Sequence, residues 1–239
     1  MMNMADTQIR IASYNIRKAR GLDQKRNPER TLDVINQLDA DIVLLQEADR
    51  RLGVRRPALP RDMISAETDF SVLDLSKNGI SLGWHGNAIL VRGPIRSRSV
   101  QHIDLPGTEP RGAVLVDFEV GKGLRIVATH LGLMRRDRRA QLETLRRATA
   151  HTECTVIAGD FNEWSRTKGL EPLQDAFTTY APGRSFHARR PLAALDRFAL
   201  SHALELRDGG VEEGDLAKLA SDHLPVWSDI RVPSDHSTC

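Results

Sequence analysis

An α/β fold of two packed sheets with helices outside is what the sequence predicts. Three features point there: strand-like and helix-like segments alternate, strands outnumber helices, and neither repeats nor low-complexity linkers interrupt them. The first strand is QIRIASYNIR, residues 8–17, which alternates with period two. NPERTLDVINQLDA, residues 27–40, reads as a helix with Asn27 as N-cap, Pro28 at the first helical position, and Leu32, Ile35 and Leu38 on one face. DIVLLQE, residues 41–47, is the continuous apolar run of a buried strand, with its polar end at Gln46 and Glu47. GNAILVRG, GAVLVDFEV and LRIVATHLG follow as strands; GKG joins the last two as a tight hairpin turn and not as a phosphate-binding glycine loop. A helix from about Arg136 to Thr149 comes next, then the strands TVIAGDFN, ALDRFAL and HLPVWSDIRV. No boundary is visible, so residues 1–239 read as one domain with a core over about 9–231.

Composition excludes several classes. Of the 239 residues, 40% are hydrophobic, enough for a sizeable core and against disorder as the default state. The two cysteines, Cys154 and Cys239, give neither a disulfide framework nor a thiolate metal cluster, which favours a reducing compartment. The opening MMNMADTQIRIASYNIR lacks an apolar signal core, and no apolar run is long enough to span a bilayer. The expectation is a cytoplasmic protein without stable membrane insertion and with no obligate protein partner in evidence. A net charge of +2 is modest, yet the arginines cluster in a way that favours an anionic partner.

The polar residues fall at strand ends. Asn15, Glu47, His130, Asp160 with Asn162, Asp196, and Asp222 with His223 each stand at or near one, so several segments can deliver side chains to a single rim. In VIAGDFNEW, Asp160 and Asn162 leave an extended chain on one face while Phe161 turns the other way, which suits a cation or a phosphate oxygen. The alternative for that stretch is a strand ending in an ordinary turn. The set comprises carboxylate, amide and imidazole without thiolate, which suits Mg²⁺ or Mn²⁺ beside a phosphate better than structural zinc. No H-E-x-x-H motif is present.

SYNIR, VLLQEAD, ATHLG, AGDFN, LDRFALS and SDHLPVW, in that order between Ile9 and Ile230, resemble the motifs of the endonuclease/exonuclease/phosphatase superfamily, the DNase I-like proteins. The resemblance implies a four-layered α/β sandwich, two mixed β-sheets packed face to face with outer helices, and a divalent-metal site at one edge. It also implies hydrolysis of phosphate esters. Glu47 resembles the main metal ligand, with Asn15 beside it contacting metal or phosphate and Asp222 adding charge on the metal side. Asp160 and Asn162 resemble the groups that position the attacking water and hold a phosphate oxygen. His223 resembles the imidazole facing the scissile phosphate, Asp196 the carboxylate that orients it, and His130 the second active-site histidine. Arg111, in EPRGAV, matches an arginine that often approaches phosphate in relatives; a solvated arginine before a strand is the alternative.

There are departures. Arg17 stands where some abasic-site nucleases of the superfamily carry an acid, which argues against a second metal contact there. No carboxylate partner for His130 is evident, and His85 in GWHGN reads as a turn residue without a catalytic role. For the substrate, RRLGVRRP and MRRDRRAQLETLRR concentrate arginines after Glu47 and after His130. Bidentate phosphate contacts are one use of them, and an exposed helix face balanced by Asp137 and Glu143 is the other for the second segment. Aromatics are only 5% of the chain, so extensive base stacking is not advertised, and Trp84, Trp164 and Trp227 can each be core. The favoured reading is a metal-dependent nuclease acting on DNA or RNA. A phosphodiesterase or phosphatase for a phospholipid headgroup, inositol phosphate or other small ester is the alternative, and a non-catalytic binding module the minor one.

Overall fold

The computed structural model describes residues 6–50, 53–165 and 168–234; Arg51 of the first arginine cluster and Cys239 lie outside them. In chain order the elements are β1 (Thr7–Asn15), α1 (Pro28–Gln37), β2 (Ile42–Gln46), α2 (Arg61–Glu67), β3 (Phe70–Val72) and β4 (Ala88–Arg92). There follow β5 (Ser97–Leu105), β6 (Arg111–Phe118), β7 (Leu124–His130), α3 (Arg135–Ala148) and β8 (Thr155–Asp160). The chain continues through β9 (Phe177–Tyr180), β10 (Asp196–Ser201), β11 (Glu205–Val211), α4 (Asp215–Ala220) and β12 (Val226–Val232).

The strands form two six-stranded sheets, β11-β12-β1-β2-β4-β3 and β5-β6-β7-β8-β10-β9. Both follow one plan: a parallel central pair, β1 with β2 and β7 with β8, flanked by antiparallel neighbours. A parallel pair needs a crossover, and α1 and α3 supply the two crossovers. Asn27 caps α1 as its sequence requires, its side chain accepting from Arg30 N at 2.9 Å, while Pro28 takes the first turn, where no N–H is needed.

Period-two alternation sorts each strand between two cores. Ile9 and Ile11, Ile42 and Leu44, Ile126 and Ala128, Val156 and Ala158, and Phe198 and Leu200 face the space between the sheets. Their neighbours Ala12, Tyr14, Val43 and Leu45 pack outward against Leu32, Ile35 and Leu38, the α1 face expected from the sequence. Val127 and Ile157 pack outward against Leu142 and Leu145 of α3. Helices therefore cover the outer faces and the sheets cover each other, giving four layers. At Gly159 (φ +147°) the backbones of β7 and β8 run so close that a Cβ would lie 1.8 Å from Thr129 O, so the glycine of AGDFN is a packing requirement.

Candidate active site

The inward rows that build the core do not stop at the end of the sandwich; they change chemistry. Asn15 continues the row of Ile11, His130 that of Ile126 and Ala128, and Asp160 that of Val156 and Ala158, while Asp196 begins the row of Phe198 and Leu200. Register aligns them further, since Asp160 stands opposite His130 on one side and Asp196 on the other. These residues close one end of the space between the sheets, each no more than 5% exposed.

Asp160 is the hub. Its Oδ2 accepts from Asn15 Nδ2 at 3.0 Å, lies 3.3 Å from His130 Nε2, and lies 3.7 Å from His223 Nε2. The carboxylate partner of His130, not evident from the sequence, is therefore Asp160, supplied by parallel pairing of β7 with β8 across an intervening helix. Its Oδ1 accepts from Asn162 N at 2.9 Å, and Asn162 (φ +51°) donates Nδ2 to Leu131 O at 2.9 Å. The turn alternative for DFN is what the structure shows: β8 ends at Asp160 and an Asx-type turn fixes its carboxylate, so Asn162 does not continue an extended face beside Asp160 but turns its amide onto Leu131 O, and Phe161 is buried.

His223 arrives from the loop before β12. Ser221 Oγ donates to Asn15 O at 2.7 Å, Leu224 N donates to Ser185 O at 2.8 Å, and the Phe186 ring lies 5.0 Å from the imidazole. His223 Nδ1 meets Asp196 Oδ2 at 2.8 Å, while Asp196 Oδ1 is buried with no hydrogen-bond partner. The two imidazoles diverge electrostatically. Burial disfavours charge on His223, but the Asp196 and Asp160 carboxylates outweigh it and the pKa is pushed up to about 10. Burial dominates at His130, which Asp160 compensates only in part, and its pKa falls to about 3. Near neutral pH His223 is an imidazolium and His130 a neutral imidazole.

Glu47 reaches the site differently. Gln46 takes the inward position at the end of β2 and bonds Ser13, while Glu47, at φ +53°, breaks the alternation and turns its carboxylate onto Lys18 Nζ. It borders a cleft whose wall includes Asp49, Arg50, Arg55, His85, Arg111 and His130. His85 lies on this wall, its Nδ1 3.2 Å from Pro110 O and its pKa lowered chiefly by burial. Arg111 bonds Glu109 Oε2 at 2.8 Å on that wall. Asp222 stands on the other side and pairs with Arg17 Nε at 3.3 Å, so the arginine that replaces an acid neutralises a neighbouring one.

Two places draw cations. Asp160, Asp196 and His223 each offer a ligand atom, all within 4.8 Å of one another. There the positive charge of the His223 imidazolium already lies between the two carboxylates. At Glu47 an ammonium, that of Lys18, sits on the carboxylate. Carboxylate and amide oxygens of the kind that Glu47, Asp222 and Asn15 carry suit a hard divalent ion, though in this structure Asp222 pairs with Arg17 and the Asn15 amide bonds Asp160 and Arg17 N. Sequence reasoning missed the Asp160 to His130 contact, the Lys18 to Glu47 pair and the cleft. It also left Trp164 as a core candidate, whereas this residue is 62% exposed, 5.9 Å from the Phe186 ring. The α3 arginines are mostly engaged within the molecule: Arg135 with Glu171, Arg138 with Glu163, and Arg146 and Arg147 with Glu143.

The profile of the family described as "Endonuclease/Exonuclease/phosphatase family" matches residues 12–236. The protein YbhP of Escherichia coli K12 is 31% identical over 221 residues, covering 84% of this chain and 87% of that one. Among solved structures, the human Nocturnin catalytic domain with bound sulfate anion superposes with a TM-score of 0.69 at 20% identity, over 95% of this chain and 96% of that chain. TDP2 of D. rerio, complexed with single strand DNA product, gives 0.70 at 16% identity, over 94% and 98%. Likeness at these identities bears on the fold.

Proposed function

The chain belongs to the endonuclease/exonuclease/phosphatase family, whose members are generally phosphoester hydrolases, and on that premise we propose that it is a divalent-metal-dependent phosphodiesterase acting on nucleic acid. The observation that carries the reading is the buried constellation of Asp160 with His130, His223 and Asn15, backed by Asp196, at the end of the sandwich. Glu47, Asn15 and Asp222 would hold Mg²⁺ or Mn²⁺, which when bound neutralises charge building on the phosphoryl oxygens.

The chain's own groups account for the rest. Asp160, held by Asn15 and by the Asn162 backbone, orients the attacking water and takes its proton. His223, charged and fixed by Asp196, offers Nε2–H to a non-bridging phosphoryl oxygen, a donor aimed where negative charge develops. His130, neutral, accepts or donates a hydrogen bond at the phosphate without adding charge. Arg111 and the side chain of Asn162 contribute donors for the remaining phosphate oxygens. A buried, preorganised set of this kind is unlike a lone binding surface and argues against the non-catalytic module.

Phe186 against His223, with the exposed Trp164 ring packed on Phe186, favours nucleic acid over a simple phosphate ester, because an exposed ring near the scissile position can stack a base. The TDP2 relative, complexed with single strand DNA, has the same fold. The test is a panel of abasic DNA, single-stranded DNA, RNA, lysophospholipid and inositol phosphates with Mg²⁺ and with Mn²⁺. We expect cleavage of at least one nucleic acid, abolished by EDTA. Turnover of the lipid or inositol substrates alone would move the assignment to the small-ester reading, and full activity after exhaustive chelation and dialysis would remove the metal from it.

A further inference from the structure

Two short loops converge on Glu47 from outside the sandwich. The excursion after β2 is closed at its base by Arg50 N to Arg56 O at 2.9 Å and Ala58 N to Ala48 O at 2.8 Å. Asp49, at that base, accepts from Leu82 N at 2.6 Å and Gly83 N at 3.3 Å, which ties the excursion to the turn carrying His85. The result is a concave wall in which Arg50 and Arg55 stand beside His85, with Glu47 and His130 forming its edge toward the buried constellation. Arg55 is held at φ +50°, an uncommon conformation for a residue other than glycine.

Charge bookkeeping distinguishes these two arginines. Lys18 is taken by Glu47 and Arg111 by Glu109. Asp49 spends both carboxylate oxygens on backbone N–H groups. Arg50 and Arg55 line the cleft with no ion pair among the described residues, in contrast to most arginines of α3. Two guanidinium groups on a concave wall, that of Arg55 also within the field of Asp49, form a site for an oxyanion with several acceptor oxygens, which guanidinium binds in bidentate fashion. The cleft meets the constellation at Glu47 and His130, so an anion held here belongs to the same molecule as the scissile phosphate.

We infer that Arg50 and Arg55 form a second phosphate subsite, and that the preferred substrate carries a terminal phosphomonoester next to the diester that is cut. The inference rests on the phosphodiesterase reading for its substrate and on the cleft alone for its anion. It makes the enzyme end-directed: a 5′- or 3′-terminal phosphate anchors the chain end, and cleavage falls at the neighbouring diester.

Binding and turnover test it separately. Isothermal titration of inorganic phosphate, with and without Mg²⁺, is compared among wild type, Arg50→Gln/Arg55→Gln and the control Arg139→Gln/Arg147→Gln, which removes two exposed guanidinium groups from α3. Loss of two charge-assisted contacts should weaken phosphate binding about tenfold or more in the cleft variant and leave the control near wild type. Undetectable phosphate binding, or equal binding by the cleft variant, overturns the subsite. Thymidine dinucleotides with a 5′-phosphate, a 3′-phosphate or neither then report the preference. One phosphorylated form should be cut at about tenfold higher kcat/KM than the unphosphorylated one, and the ratio should fall toward one in the cleft variant. Equal rates on all three overturn the end-directed inference. If all three are inert while phosphate still binds through Arg50 and Arg55, the nuclease reading fails and the subsite stands.

Discussion

Replacing Asp196 by asparagine removes a charge while keeping the shape of the tightest contact in the constellation. In the wild type, Asp196 Oδ2 lies 2.8 Å from His223 Nδ1, which therefore carries a proton and leaves Nε2 facing Asp160. The amide has two orientations. With oxygen toward Nδ1, its NH₂ occupies the place of Oδ1, which is buried without a partner, at a cost of about 1–3 kcal/mol for an unsatisfied donor. With NH₂ toward Nδ1, one N–H donates to the ring nitrogen, the carbonyl oxygen takes the partnerless place of Oδ1 as it does in the wild type, and the imidazole must carry its proton on Nε2 alone, as a neutral ring. The second orientation wins, because it leaves fewer buried donors unpaired and burial already disfavours the charged ring. The phosphate then loses a cationic donor, and kcat should fall by ~10² to 10⁴, the scale of a positioned acid or base. Metal affinity should hardly change on the proposed assignment, in which Glu47, Asn15 and Asp222 hold the ion, whereas a marked loss would move the ion to the Asp160, Asp196 and His223 group. Titrating Mg²⁺ against turnover tests this: a kcat within about threefold of wild type, or a rate restored by excess Mg²⁺, would refute the assignment of Asp196 as the group that holds His223 charged.

The remaining predictions concern metal, pH and the frame of the site. Glu47→Gln should lower apparent Mg²⁺ affinity and regain part of its rate at high Mg²⁺, whereas His223→Ala should lose ~10² to 10⁴ in turnover without rescue by metal; the reverse pattern in a Mg²⁺ titration would exchange the two roles. In EDTA, folded His223 keeps its proton to about pH 10 while an ordinary histidine releases it near 6.5, so the folded state binds more protons across that window. Its stabilisation is complete below pH 6.5 and is lost as pH rises toward 10, with a slope of up to about 1.4 kcal/mol per pH unit that His223→Ala should abolish in chemical denaturation. His130 acts in the opposite sense, since its folded pKa near 3 makes stability rise with pH between about 3 and 6.5. Arg138 joins Glu163 at 2.8 Å and Leu133 O at 2.6 Å in a buried contact behind the site. Arg138→Leu leaves that carboxylate unpaired and should cost about 3–5 kcal/mol of stability by denaturation, and a loss under about 1 kcal/mol would show that the pair is not structural.

Much of this molecule was readable from local pattern. Every central strand announced itself, because a strand covered on both faces needs an apolar run and one covered on a single face needs alternation, and both are properties of consecutive residues. Not identified from the sequence were β3, β5, β9 and β11, which form the four edges of the two sheets. An edge strand buries less and takes its pairing from one neighbour, so β5 is mostly exposed and polar and carries little periodic signal. The site divides in the same way. His130, Asp160 and Asp196 stood out as candidates because each extends an apolar row by one polar position at a strand end, and Asn15 because it ends the β1 row after Ser13. Contacts between distant segments were not. The Asn15 to Asp160 bond joins the two sheets, and the His130 to Asp160 contact needs parallel register across a crossover. Glu47 turns into the cleft by a positive φ that no propensity of glutamate foretells, and Arg50 and Arg55 reach His85 because Asp49 ties two loops together. Local chemistry thus determined which residues end their strands in polar groups, and only the packing of two separately formed sheets decided which of those groups meet, because that choice depends on register and loop closure between residues far apart in the chain.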